Sequence, residues 1–173
     1  QGGAGLAGGS RPAAWATLRA ALVDARTYPA RYIASEKGDA LGRLDAQAFA
    51  PAAKGQQLIL IAVDRASDIR HVINLKADNP ALNIALVSAT EGWMVADEIA
   101  AAGVPVITQP LVDLPARFEQ LAATQSNVGI MANAGVEVAF GAFYNSNQPR
   151  YGPQQAGNIV ALSRVPGATG MSW

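Results

Sequence analysis

Few side chains in this sequence can carry acid–base or metal chemistry, and where they stand narrows what they could do. There is one His, His71, and no Cys, so thiolate nucleophiles, cysteine zinc sites and disulfides are excluded. The remaining polar candidates follow apolar runs. Asp64 and Arg65 come directly after LILIAV (58–63), and Ser88 and Glu91 come after LNIALV (82–87). Phe143, Tyr144, Asn145, Asn147, Arg150 and Tyr151 follow VEVAF (136–140). The C-terminal ends of parallel strands are where βα loops gather ligands.

Each candidate has a structural use beside a chemical one. Asp64 can cap the following helix by accepting from its first-turn amides, while Arg65 offers a substrate contact. Ser88 and Glu91 have the spacing of a capping box, in which each satisfies the other's backbone amide. Neither has a His partner for nucleophilic or general-base work. The 143–151 loop can hydrogen-bond and stack on a small polar ligand, and the same composition suits an ordinary polar loop with Asn turns. His71 falls opposite Ile69, Val72 and Ile73 at helical spacing, which predicts a solvent-facing side chain. Trp15 and Trp93 fit the apolar period of their helices and are expected in the core. The opening glycines follow no strand, so they lack the setting of a phosphate-binding loop.

Composition sets the frame for these residues. Half of the 173 residues are apolar and 15% are charged, which excludes disorder throughout and is enough for one real core. Thirteen basic and thirteen acidic residues cancel, which argues against a nucleic-acid or anionic-membrane surface. No apolar run approaches the ~20 residues of a membrane span. The first residue is Gln and no signal-peptide pattern follows, so a processed or cut end is expected. The absence of Cys fits either redox compartment.

The elements that must position the candidates read as alternating strands and helices. Residues 1–12 read as a flexible lead, and 13–173 as a single α/β segment. Ser10 and Pro12 signal a helix start, with Trp15, Leu18, Leu22 and Ala25 on one face. Leu41, Leu44, Ala48 and Ala52 form a second, weaker stripe. The run 58–63 is continuous enough to predict a strand buried on both faces. Further strands are expected at 82–87, 104–108 and 136–140. Between them come helices after Asp64, after Ser88 (stopped by Gly103), after Asp113 with Phe118 and Leu121 inward, and after Ser126 (stopped by Gly135). A last helix covers about 153–163. About four parallel strands alternate with helices at intervals of roughly 20–30 residues, as βα repeats do. A closed (β/α)8 barrel takes about 250 residues, so this chain is too short to be a whole one.

Five ordered blocks carry a family likeness: GGSRPAAWATLRAAL (8–22), VDRASDI (63–69), EGWMVADEIAAAGVPVITQP (91–110), GVEVAFG (135–141) and QQAGNIVAL (154–162). Together they resemble the metal-dependent amidohydrolases, in particular the imidazolonepropionase-like branch. The resemblance implies a partial (β/α)8 TIM-type barrel, with these strands as numbers five to eight. The activity it implies is hydrolysis of C–N bonds in cyclic amides, imides and amidines. In that family one or two divalent metals, zinc or another, activate a water, and an Asp from the last strand takes its proton.

The positions matching the family's two metal-binding His residues and its Asp are here Ala62, Ser88 and Phe143 (or Tyr144 with a one-residue gap). Ala has no donor atom, a Ser hydroxyl is a poor zinc ligand, and a phenyl ring accepts no proton. The segment is therefore expected to hold no cofactor and to be a hydrolase by descent, either a fragment of a longer enzyme or a degenerate copy. The alternative is a non-catalytic domain that binds a small polar ligand or acts as a scaffold, with Asp64, Arg65, Tyr144, Asn145, Asn147, Arg150 and Tyr151 as ligand contacts. Half a barrel leaves strand edges and an inner face uncovered. The expected partner is the missing half or another copy, with no nucleic acid and no membrane. The resemblance also implies a periplasmic location.

Overall fold

Ser10 starts the first helix as its context predicts. Its Oγ accepts from the Ala13 amide at 3.3 Å, and a proline occupies the first turn of α1 (Arg11–Thr27). The computed structural model describes residues 9–30, 40–143 and 149–172. The chain divides into two compact units, Gln1–Leu58 with Ala81–Asn83, and Ile59–Pro80 with Ile84–Trp173.

In the first unit α1 packs against α2 (Arg43–Ala53). Leu22 and Ala25 of the predicted α1 stripe are buried, and Trp15 and Leu18 are half-buried. The stripe expected on α2 is corrected. Leu44 is 79% exposed and Ala48 is exposed, while Ala46, Ala50, Ala52 and Ala53 are buried. Small side chains let two helices approach closely, so the Ala face wins the contact over the larger Leu44. Buried Asp24 receives the amides of Ala40 and Leu41 at 2.7 and 3.2 Å, which fixes the entry to α2.

The second unit is built on a sheet. Its elements are β1 (Leu58–Val63), α3 (Ala66–Asp78), β2 (Asn83–Ser88), a 3-10 turn at Gly92–Val95 and α4 (Ala96–Ala102). Then come β3 (Val106–Thr108), a 3-10 turn at Phe118–Gln120, α5 (Asn127–Asn133), β4 (Val138–Phe140), a 3-10 turn at Pro149–Tyr151 and α6 (Gly152–Leu162). The strand order is β1-β2-β3-β4. Leu86 stands opposite Val106 in parallel register, and Val106, Ile107 and Thr108 stand opposite Val138, Ala139 and Phe140. The order never reverses, unlike a doubly wound sheet, where a reversal makes the switch point. A parallel four-stranded sheet stepping one way with alternating helices is the architecture of a partial (β/α)8 barrel.

The core brings the sheet against its helices. Ile84, Leu86 and Val106 are buried with Ile69, Val72 and Leu75 of α3, Ile99 of α4, Val128 and Met131 of α5 and Ile159 of α6. Burying each such side chain contributes roughly 1.5–3 kcal/mol. Gly103 ends α4 in the left-handed region (φ 61), where an L side chain is disfavoured. Trp93, expected in the core, is half-buried, and its indole Nε1 donates to Ala122 O at 2.8 Å.

Two further expectations are corrected. β1 is not buried on both faces: burial alternates along it, and Leu58 and Leu60 are 50% and 57% exposed. β1 ends the strand order, and an unbroken apolar run does not reveal whether both its faces find cover. The helix expected after Asp113 is absent. Only the short 3-10 turn Phe118–Gln120 forms there, with Leu114, Phe118 and Leu121 at 79%, 77% and 64% exposed. The backbone of this segment is held by polar contacts at its end instead of by an inward apolar stripe.

Candidate functional site at the strand ends

Asp64 leaves β1 at its C-terminal end and turns its carboxylate toward the exit of β2. Its Oδ1 accepts from Ser88 Oγ at 2.5 Å, Thr90 Oγ1 at 2.6 Å and the Thr90 amide at 3.3 Å. Gln120 Nε2 lies 3.4 Å from both Asp64 Oδ2 and Thr90 Oγ1. The backbone adds two ties: Ala89 N donates to Val63 O at 2.8 Å, and Glu91 N to Asp64 O at 2.9 Å. Thr108, at the end of β3, donates its hydroxyl to Ser88 O at 2.6 Å. Thr90, Thr108 and Gln120 are buried polar residues, and each is satisfied within the group, as buried polar groups must be.

These contacts replace the helix cap expected of Asp64. The residue at the cap of α3 is Arg65, which makes no side-chain cap bond. The α3 terminus is served from elsewhere: Glu91 Oε2 accepts from Ala66 N at 3.1 Å, and Glu91 Oε1 from Ala122 N at 3.3 Å. The capping box of Ser88 and Glu91 is thereby corrected as well. A 3-10 turn intervenes before α4 begins at Ala96, so the spacing meets no helix start. Both side chains reach across loops instead. Asn127 completes the rim, donating to Ala89 O at 3.1 Å and accepting from Trp93 N at 2.8 Å.

Arg65 is half-buried and donates from Nη2 to Phe118 O at 2.8 Å, so it anchors the loop after β3. Arg150 lies over its neighbour, with Nη2 donating to Tyr151 Oη at 2.7 Å and its guanidinium carbon 4.8 Å from the ring centroid. Tyr144, Asn145 and Asn147 fall outside the described residues. His71 is exposed on α3, as its spacing predicts. Thr90, Gln120, Thr108 and Asn127 escaped sequence reasoning. Thr90 sat inside the supposed capping box and Asn127 beside Ser126, but nothing in local spacing distinguishes a buried polar partner from a solvated one.

The divalent metal that the resemblance implies does not fit these residues. Ala62 lies on the exposed face of β1 and carries no donor atom. The Ser88 hydroxyl points its proton at Asp64, and Phe143 offers a phenyl ring. Among the described residues no three His, Cys, Asp or Glu side chains converge as a metal site. An ion at Asp64 Oδ1 would have to displace two hydroxyl donors.

That polar rim, at the C-terminal mouth of a one-way parallel sheet, sets the frame for comparison with known proteins. A solved amidohydrolase from Thermotoga maritima MSB8 superposes with a TM-score of 0.71 at 17% sequence identity. The likeness is one of fold. It covers 86% of this chain and 39% of that one, so this chain spans well under half of the protein it superposes on. No family model matches the sequence, and no curated protein matches it.

Proposed function

We propose that this chain is part of a barrel protein of amidohydrolase descent, in which it supplies four strand ends and their loops but, among the described residues, no metal ligand. By descent the reaction class is hydrolysis of non-peptide C–N bonds, and the sequence blocks favour the imidazolonepropionase-like branch. The fold likeness to the Thermotoga amidohydrolase and the order of those blocks support the descent. One observation carries the absence of a metal ligand: the Asp64 carboxylate is committed to the Ser88 and Thr90 hydroxyls. The partner that completes the fold is then the remaining βα units of the barrel, or a second copy.

Metal stoichiometry of the full-length protein, measured together with hydrolysis of cyclic amides and imides, tests this reading. Asp64→Asn and Ser88→Ala are expected to leave the metal content per chain unchanged. Loss of metal in either variant would overturn it.

A second reading has its own observation, the Arg150–Tyr151 pair. A guanidinium already stacked on a phenol is a preformed face for a small polar ligand. A metal-free full-length protein whose Tyr151→Ala or Arg150→Ala variant loses binding of a polar ligand would favour this reading over hydrolysis.

A further inference from the structure

We infer that hydrogen bonding centred on Asp64 holds the ends of β1 and β2 and the loop after β3 in place without an ion, and that Asp64 is the positioning residue of this lattice. The inference rests on the reading that the segment holds no metal, and extends it to what takes the metal's mechanical place. Ser88 and Ala89 both lie in the left-handed region, with φ of 79° and 46°. Two successive residues with side chains persist there only when their surroundings over-determine them. Here the surroundings are on view. The Ser88 hydroxyl is drawn to Asp64, the Ala89 amide to Val63 O, and the Ala89 carbonyl receives Asn127 Nδ2.

The next residue repeats the pattern, since Thr90 gives both its amide and its hydroxyl to Asp64 Oδ1. Gln120 extends the lattice to the loop after β3, which Arg65 and Glu91 also grip through Phe118 O and Ala122 N. One carboxylate therefore gathers donors from two chain segments, 88–90 and the loop at Gln120, and ties both to the end of its own strand, which is the mechanical part a bound cation plays when it gathers acceptors. The two arrangements need opposite partners. Hydroxyls and amides that point hydrogens at Oδ1 satisfy a carboxylate and repel a cation.

Hydrogen exchange on the full-length protein tests this locally, with mass readout on peptides covering 59–67, 88–96 and 117–124. Chelation of divalent ions in the unsubstituted protein is expected to leave exchange in all three unchanged. Asp64→Asn, which keeps the shape and removes the charge, is expected to speed exchange in all three by about tenfold or more, as hydrogen bonds to a charged group imply. Should that variant fail to fold, Ser88→Ala and Thr90→Val stand in, each with a smaller increase and the double variant with the largest.

Two results would overturn the inference, and they differ in what else they touch. If Asp64→Asn leaves exchange unchanged, Asp64 is not the positioning residue, while the proposed descent and metal reading stand. If chelation alone speeds exchange at 59–67 and 88–96, and added zinc restores protection only while Asp64 is present, an ion is the tie and both readings fail.

Discussion

Glu91 puts one carboxylate oxygen on each of two backbone amides, those of Ala66 and Ala122, 25 and 31 residues away in sequence. Glu91→Ala leaves both amides without this acceptor, one of them on buried Ala66. The expected loss is about 1–3 kcal/mol of stability, read as a lowered urea midpoint at unchanged slope. Glu91→Gln, which keeps an acceptor oxygen, should lose less. No change in the Ala variant would mean that water satisfies both amides. The spacing of Ser88 and Glu91 marked two side chains that hydrogen-bond at a strand exit, but only Glu91 serves backbone amides, while Ser88 gives its hydroxyl to the Asp64 carboxylate. It could not name their partners, because a capping box assumes a helix begins within three residues, and here a 3-10 turn comes first. Asp64 repeats the lesson. A carboxylate after a strand is a good helix cap by local rules, and two hydroxyls on the neighbouring strand exit outcompete the helix amides for it. At Ala62, Ser88 and Phe143 the expectation rests on residue type alone, since Ala has no donor atom, a Ser hydroxyl is a poor zinc ligand and a phenyl ring accepts no proton.

At the scale of elements, strands and most helices were legible and their covering was not. Periodicity found all six helices of the described residues, because each carries apolar residues at helical spacing and a recognisable start or stop, though on α2 it chose the wrong face. It failed on 113–121, where Leu114, Phe118 and Leu121 have the spacing of a stripe but no surface to meet. Contacts between elements lead to two predictions. Gly129 of α5 lies under the chain's last segment, and a Cβ there would stand 2.2 Å from Thr169 O and 2.7 Å from Gly170 O. Because those are backbone atoms, Gly129→Ala forces the segment away and should cost about 1–3 kcal/mol by thermal or urea unfolding. A variant as stable as its parent would show that the segment yields freely. The second prediction concerns the link between α3 and α4, where Arg70 Nη2 lies 2.8 Å from Glu98 Oε1 and the guanidinium also reaches Oε2. The hydrogen bond from Arg70 holds the Glu98 carboxyl below its ordinary value. A depressed carboxyl stabilises the fold above its unfolded pKa, and that contribution is lost as pH falls through the folded one. Both groups are exposed, so the effect should be small and screened by salt. Glu98→Gln is expected to flatten the unfolding midpoint slightly between neutral and acid pH at low ionic strength, with the difference gone at high salt. A difference that survives high salt would point to burial instead of an exposed pair.

For the molecule as a whole, the decisive feature is what the sheet leaves open. β1 and β4 end the strand order, and Leu60 and Ala62 on one face of β1 are exposed, as is Ala139 on β4. Outer strands present unpaired backbone groups, and a row of exposed apolar side chains adds a reason to associate. In a closed barrel both edges are paired and the inward side chains fill the interior; among the described residues no strand pairs beyond β1 or β4. Residues 1–173 on their own are therefore expected to scatter light as a species heavier than one chain at micromolar concentration. Leu60→Glu places a charge on the open face, where the parent residue is 57% exposed. It should shift the population toward single chains while moving the unfolding midpoint by no more than about 0.5 kcal/mol, as surface substitutions do. The two readouts separate an interface from a folding defect, since loss of structure would lower the midpoint and raise aggregation together. A parent chain that is monodisperse and monomeric under these conditions would mean that the open face is stable in water. The requirement for a completing half, or for a second copy, would then fall.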